Sequence, residues 1–289
     1  MRRSGVSSAM VAGLLIAGIL IGVTGYYVAT NYPTKIVTQT ETTTGSLGTT
    51  STTTLTASTQ PVLIACGSII TTDTTLDMSV GGCDGSGLVI GANGITLDCA
   101  GHTIAGIEAT EKDSGINLTG ISNVTVKNCR VTGFRNDFFI FDSSNNTFTA
   151  NIVLGSEVSG FDIFDSSNNT LTGNEANGNS GTDFYLYGSD GNTLTRNNAV
   201  ASQEGFFVSV SSNNTLTLNT AGSDQYGFFL YGTDNTLRGN NAVSNSQYGY
   251  FDRSTGSGTL GTANSYEGNN CEGNGVGCSS PSGLDTPRP

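Results

Sequence analysis

The sequence predicts an all-β fold: a solenoid of about eight coils of parallel strands, preceded by one N-terminal transmembrane helix. Three observations predict it. A step of Thr followed by an apolar residue recurs about every 22 residues. Charged residues make up only 12% of the chain and Gly numbers 40, with Ser, Thr and Asn abundant. One uncharged apolar run stands near the N-terminus. Ser, Thr, Asn and Gly favour turns and extended chain over helix interiors, which argues against a helical bundle.

The N-terminus comes first. Arg2 and Arg3 precede an apolar run from Ala9 to Ala29 that holds no charge. At 1.5 Å per residue such a run spans roughly 31 Å, the thickness of a bilayer core. The basic flank belongs in the cytoplasm, so the chain after Thr30 is expected outside the cell. A cleaved signal peptide is the alternative; Tyr26 and Tyr27, placed like an interfacial belt, favour a retained anchor. Residues 1–30 are therefore read as a transmembrane anchor or signal-anchor, making a single-pass protein of the cell membrane with its N-terminus cytoplasmic. Residues 31–60 read as a disordered stalk, since 16 of the 27 residues from 34 to 60 are Ser or Thr and no apolar period runs through them.

Charge narrows the partners. The net charge is -12, and beyond residue 60 there are 22 acids against 8 bases. Such a surface repels nucleic acid and anionic lipid. An acidic polysaccharide would need a bridging cation.

Six cysteines follow the stalk. An even count in an exported chain points to disulfides, and position suggests Cys66–Cys83, Cys99–Cys129 and Cys271–Cys278. A metal site is the rival reading, but there is no CxxC pair and His102 is the only histidine. No resident metal or cofactor is expected, with calcium as the one possible exception.

The repeat defines residues 61–278 as one domain, with 279–289 as a disordered tail. The steps begin at Thr96, Thr125, Thr147, Thr170, Thr193, Thr215, Thr236 and Thr259, each followed by Leu, Val or Phe. Asn146, Asn169, Asn192, Asn214 and Asn235 precede five of them, and Asn151, Asn174, Asn197, Asn219 and Asn240 form a second series. No single coil can bury its own apolar face, so coils must stack into a continuous core. Residues at equal phase then stand about 4.8 Å apart, and stacked Asn amides can hydrogen-bond from coil to coil. Asn117, Asn123, Asn145, Asn168 and Asn213 each open an Asn-x-Thr triplet, so glycosylation is a second use for some of them.

The run Gly94-Ile95-Thr96-Leu97-Asp98-Cys99-Ala100-Gly101-His102-Thr103-Ile104 and the recurring Ser-Ser-Asn-Asn-Thr-Leu-Thr-x-Asn resemble right-handed parallel β-helix repeat proteins. By pattern the chain is similar to the periplasmic copper-binding (NosD-like) and the carbohydrate-binding and sugar-hydrolase repeat families. The resemblance covers about residues 62 to 275. It implies a right-handed solenoid, often exported, often acting on or holding sugars. The copper role that it implies lacks its usual soft ligands, because Met78 is the only Met beyond the membrane segment.

The same family pattern places Phe138 and Ile140, Phe161 and Ile163, Phe184 and Leu186, Phe206 and Val208, and Phe228 and Leu230 inward. Strand alternation then turns the residues between them outward. One outward column reads Asn117, Phe139, Asp162, Tyr185, Phe207, Phe229, Phe251; the next reads Thr119, Phe141, Phe164, Tyr187, Ser209, Tyr231, Arg253. Phe139, Phe141, Phe164, Tyr185, Tyr187, Phe207, Phe229 and Tyr231 are the candidate ligand-binding residues. Rings in such an array suit stacking on sugars or docking a protein. In β-helix enzymes of the resembled families this sheet is the usual substrate groove. Cover by a terminal segment or a partner is the plainer alternative.

Catalysis has one candidate. Asp142 and Asp165 occupy matching positions of successive coils, and Asp162 lies three residues before Asp165. Clustered carboxylates can serve as acid and base or bind calcium; an Asp at a strand end also commonly caps the next turn. The expectation is a surface protein, more binder than enzyme, that holds a polysaccharide or an envelope glycoprotein. The alternatives are a polysaccharide lyase, hydrolase or epimerase using the Asp cluster, and a structural spacer.

Overall fold

The computed structural model describes residues 38–44, 50–56, 63–107 and 114–284. The chain divides into two units, Met1–Val62 and Leu63–Pro289. In the first, Thr38–Thr44 pairs antiparallel with Thr50–Thr56. Part of the expected structureless stalk is therefore a two-stranded ladder, in keeping with the extended preference of its β-branched threonines. The expected transmembrane segment lies outside the described residues. Among the described residues no helix is long and apolar enough to cross a membrane.

The second unit is a parallel solenoid. Its strands form three parallel sheets of nine, nine and ten strands. The threonine sheet runs from Thr74–Thr75 through Thr96–Asp98, Thr125–Lys127, Thr147–Thr149, Thr170–Thr172, Thr193–Thr195, Thr215–Thr217 and Thr236–Arg238 to Ser265–Glu267. The third sheet runs from Val80–Cys83 to Asn270–Glu272, and the aromatic sheet from Ser68–Ile70 to Gly277–Ser280. Register is strict: Thr147, Thr170, Thr193 and Thr215 stand on one another.

Three inward columns make the core. Leu97, Val126, Phe148, Leu171, Leu194, Leu216 and Leu237 form the first, all fully buried. Phe138, Phe161, Phe184, Phe206, Phe228 and Tyr250 form the second, with ring centroids 4.6 to 5.0 Å apart. The third narrows from Ile104, Val131 and Val153 to Ala176, Ala199, Ala221 and Ala242. Large rings on one wall and alanines on the other fill the interior without overpacking.

The asparagines hold the corners. Asn174 Oδ1 accepts the backbone N–H of Asn151 at 3.0 Å, while its Nδ2 donates to Phe148 O at 3.0 Å and Asn197 Oδ1 at 2.9 Å. The two series extend to Asn264 and Asn269. Their side chains are buried, and the left-handed backbone falls on their neighbours instead: Asn145, Asn168 and Asn213, at φ 58–60°. Ladder and turn are thus divided between two adjacent residues. Asn123, Asn145, Asn168 and Asn213 are exposed, whereas Asn117 is half-buried on the aromatic sheet.

Cys66–Cys83, Cys99–Cys129 and Cys271–Cys278 are the three disulfides. Two boundaries need correcting. Thr259-Leu260 is not a repeat step: Thr259–Gly261 is a 3-10 turn within an insertion and Leu260 is exposed. The true step is Ser265-Tyr266, paired with Thr236-Leu237. The coils run on through Asp252. That inward carboxylate is fully engaged by Ser254, Asn264 and Tyr266, whose hydroxyl donates to Oδ2 at 2.9 Å, and a further coil follows. Order also continues past Cys278 to Leu284, which is buried and held by Ser279 Oγ.

Candidate functional site: the aromatic sheet

The inward and outward phases of the aromatic strands are as the sequence predicts. Phe138, Ile140, Phe161, Ile163, Phe184, Leu186, Phe206, Val208, Phe228 and Leu230 are fully buried. Between them the outward rings stack along the solenoid axis. Tyr185, Phe207, Phe229 and Phe251 have successive centroids 5.2, 4.8 and 5.1 Å apart. In the next column Phe141 and Phe164 are 5.7 Å apart, and Phe164 and Tyr187 4.9 Å. Ser209 interrupts that column and is nearly buried, with Tyr231 beyond it 55% exposed. The Arg253 guanidinium lies 5.9 Å from the Tyr231 centroid and 6.0 Å from that of Phe251. The other rings are partly exposed, each shielding the next. The described parts of residues 63–90 and 279–284 belong to the stacked coils and the C-terminal end.

Asp162 breaks the ring column between Phe139 and Tyr185. Its Oδ2 accepts a hydrogen bond from Asn136 Nδ2 at 2.9 Å, and its Oδ1 is buried without a partner. Loss of water raises its pKa to about 6, although the nearby Arg135 charge pulls the other way. The same burial, with the Asp162 charge beside it, raises the Tyr185 phenol. Asp142 and Asp165 are different. Both are exposed at the corner leaving the sheet, in left-handed conformation at φ 48°. So the three acids do not share one environment: only Asp162 lies among the rings, and the other two occupy turn positions.

A second acidic group escaped the sequence reading. Asp137, Asp183 and Asp224 are buried at the corner between the third sheet and the aromatic sheet. Desolvation raises Asp137 and Asp224 to about 7 and Asp183 well above the usual range. Asp183 Oδ1 accepts from Ser202 Oγ at 2.5 Å and Asn179 Nδ2 at 2.6 Å, and Ser202 N donates to Asp224 Oδ1 at 2.9 Å. The signal was present. The residue before each inward Phe or its equivalent reads Gly115, Asp137, Gly160, Asp183, Gly205, Gly227, Gly249.

The fold and these columns define a right-handed parallel β-helix repeat protein. The chain matches the family model described as periplasmic copper-binding protein (NosD) over residues 49–220 and 100–279, and it belongs to that family. No curated protein matches it. Among solved structures it is similar in fold to a mutant of the periplasmic alginate epimerase AlgG, at 15% identity and TM-score 0.45, covering 76% of this chain and 68% of that one. It is similar to the catalytic domain of GH87 alpha-1,3-glucanase in complex with nigerose, at 16% identity and TM-score 0.41, covering 76% of this chain. The chain spans only 61% of that glucanase domain. It is also similar to the A-module of an Azotobacter vinelandii mannuronan C-5 epimerase, at 17% identity and TM-score 0.40, covering 74% and 75%.

The family's name raises copper, and the donor set here does not fit it. All six cysteines are in disulfides. His102 is the only imidazole, and Met78 the only thioether among the described residues. No group of three or more His, Cys, Asp or Glu among the described residues could hold a metal ion. Copper in either oxidation state prefers thiolate, thioether or imidazole donors.

Proposed function

We propose that this chain is an extracellular, membrane-anchored binding protein whose aromatic sheet holds an uncharged stretch of a polysaccharide. The single observation behind this reading is the outward double column of rings, stacked along the solenoid axis and interrupted once in each column, by Asp162 and by Ser209. Because the rings stack on one another, they present a continuous apolar ribbon of ring edges, against which the apolar faces of successive sugar rings can be buried, at about 1 kcal/mol for each ring contacted. Single outward aromatics are ordinary; nine on one sheet make a patch of several hundred Å². The chain's acidity favours a neutral polymer over a uronate. Location outside the membrane rests on the apolar run Ala9 to Ala29 and on the disulfides.

The test is affinity electrophoresis of the purified protein through gels cast with neutral polysaccharides, supported by a glycan array. Retardation by at least one polymer is expected. Tyr185→Ala and Phe207→Ala should each weaken it roughly five- to tenfold, matching about 1 kcal/mol per ring. Retention unchanged in the double variant would sink the reading. An enzymatic alternative has one specific observation in its favour, the weakened acidity of Asp162 among the rings. A carboxyl titrating near neutrality can act as general acid or base. Release of reducing or unsaturated ends, abolished by Asp162→Asn while polymer retention persists, would establish that activity.

A further inference from the structure

The three sheets share one fold and one repeat, yet their outward residues behave differently. On the third sheet the outward positions vary from coil to coil: Ile152 and Leu154, Glu175 and Asn177, Asn198 and Val200, Thr220 and Gly222. In the same four coils the threonine sheet does not vary at all. It presents Thr147 and Thr149, Thr170 and Thr172, Thr193 and Thr195, Thr215 and Thr217, in unbroken register. Neither β propensity nor duplication of the repeat accounts for this, because both act on all three sheets alike. Glycosylation sequons do not account for it either. Thr193 follows Gly191-Asn192, which is no sequon, and no sequon reaches the second column, Thr149, Thr172, Thr195 and Thr217.

Two further features mark the array. All eight side chains are partly exposed, and none of their hydroxyls makes a hydrogen bond within the protein. Threonines elsewhere do: Thr132 Oγ1 donates to Leu154 O at 2.8 Å and Thr182 Oγ1 to Glu204 at 3.0 Å. Charge is also kept off the array. The second column carries Asp98 and Lys127 before it and Arg238 and Glu267 after it, paired at 3.2 and 3.5 Å. In a chain of net charge -12, four successive rows hold none. The result is a flat lattice of hydroxyls and methyls, about 4.8 Å between rows and about 6.7 Å between columns.

We propose that this threonine array binds ice. An ice surface is an uncharged, periodic lattice of water oxygens. Each hydroxyl can share in a water-mediated hydrogen bond while the neighbouring methyl leaves that water ordered rather than claimed by a stronger partner. One contact is weak; a rigid array makes eight at once without losing side-chain freedom twice, since β-branched residues are already stiff at χ1. A charged side chain in the field would hold water in the wrong geometry, which accounts for the clean rows. The face is separate from the aromatic sheet, so the proposal does not depend on polysaccharide binding.

The test is nanolitre osmometry on the full chain, produced without N-glycans, with ice-crystal shape recorded during slow cooling. The wild type is expected to hold a gap between melting and freezing temperatures and to facet the crystal. Thr172→Lys and Thr195→Lys should each reduce the gap several-fold, and the pair should abolish it. Both variants should fold normally, because Lys127 and Arg238 already occupy that column; an unchanged circular dichroism melt checks this. Round, unfaceted crystals with no gap in the wild type overturn the proposal, as does a gap that survives in the folded double variant. Adsorption to crystalline cellulose that is lost in the same variants, with ice untouched, also overturns it and assigns the array to a solid polysaccharide.

Discussion

At the corner leaving the threonine sheet, Asn197 leaves nothing unpaired. Its Oδ1 accepts from the backbone and the amide of Asn174, both at 2.9 Å; its Nδ2 donates to Leu171 O at 3.0 Å and Asn219 Oδ1 at 3.1 Å. At the corner leading into the aromatic sheet, Asp183 and Asp224 each keep one buried oxygen without a partner. An amide can both donate and accept, so a column of Asn satisfies itself indefinitely. A carboxylate only accepts, so a column of Asp cannot. The acidic corner is stabilised by complementarity in size instead. At three of the coils where the aromatic strand has Gly, the next coil brings a large polar side chain: a Cβ on Gly160 would lie 2.8 Å from Asn179 Nδ2, one on Gly205 2.7 Å from Asp224 Oδ2, and one on Gly227 2.8 Å from Asn245 Nδ2. Where the strand has Asp137 or Asp183, the next coil brings only Ser156 or Ser202.

This contrast breaks most visibly at the Asn ladder. Asn197→Leu removes four side-chain hydrogen bonds and leaves Leu171 O and the Asn174 backbone N–H without buried partners. Each orphaned group costs about 1–3 kcal/mol, so a loss of roughly 4 kcal/mol is expected in the denaturant midpoint at unchanged slope. A loss under 1 kcal/mol would mean that the ladder decorates the corner rather than holding it.

The size rule predicts a rescue. Asp183→Gly opens a cavity and strips Ser202 and Asn179 of an acceptor, at about 2–3 kcal/mol. Ser202→Asn alone forces an amide against the Asp183 carboxyl and should destabilise as well. Combined, they recreate the Gly160–Asn179 arrangement. A coupling of at least 1 kcal/mol in favour of the double variant is expected from the cycle, and strict additivity would refute the pairing.

The acidic corner also shows why it was hidden in the sequence while the ladder was not. Asn146 to Asn235 recur beside the same Thr, so period and identity reinforce each other. Asp183 and its partner Ser202 are 19 residues apart in different coils, and the pair recurs only once, as Asp137 and Ser156 two coils earlier, with Gly in the coil between. The false step at Thr259 has a related cause. A Thr before an apolar residue is too short a motif to bear the register alone. The pair Asn264 and Asn269 carries it, since these two continue both ladders. The outward rings were legible because alternation is forced once the inward Phe is known. That Asp162 would lose its water while Asp165 keeps it depends on neighbouring coils, which strand alternation does not contain.

The smallest expected effect concerns pH. Asp224 stands where the next two coils place Asn245 and Asn274, and its folded pKa is raised from 3.8 to about 7 by burial. A raised value means that the fold favours the neutral acid. The contribution is therefore fully present below about pH 4 and is lost as pH rises through about 7. Asp137 and Asp183 act in the same direction. Asp224→Asn supplies a group that stays neutral and can donate, as Asn245 Nδ2 does to Ala221 O at 3.2 Å. At pH 8 the variant should be about 1–2 kcal/mol more stable than the wild type, and at pH 4 the two should coincide, because the protonated carboxyl is then neutral and can donate too. Urea midpoints at the two pH values measure this directly. A variant less stable than the wild type at pH 8 would show that the ionised Asp224 has a partner the fold depends on, and the distinction between the self-satisfying corner and the size-matched one would lose its electrostatic half.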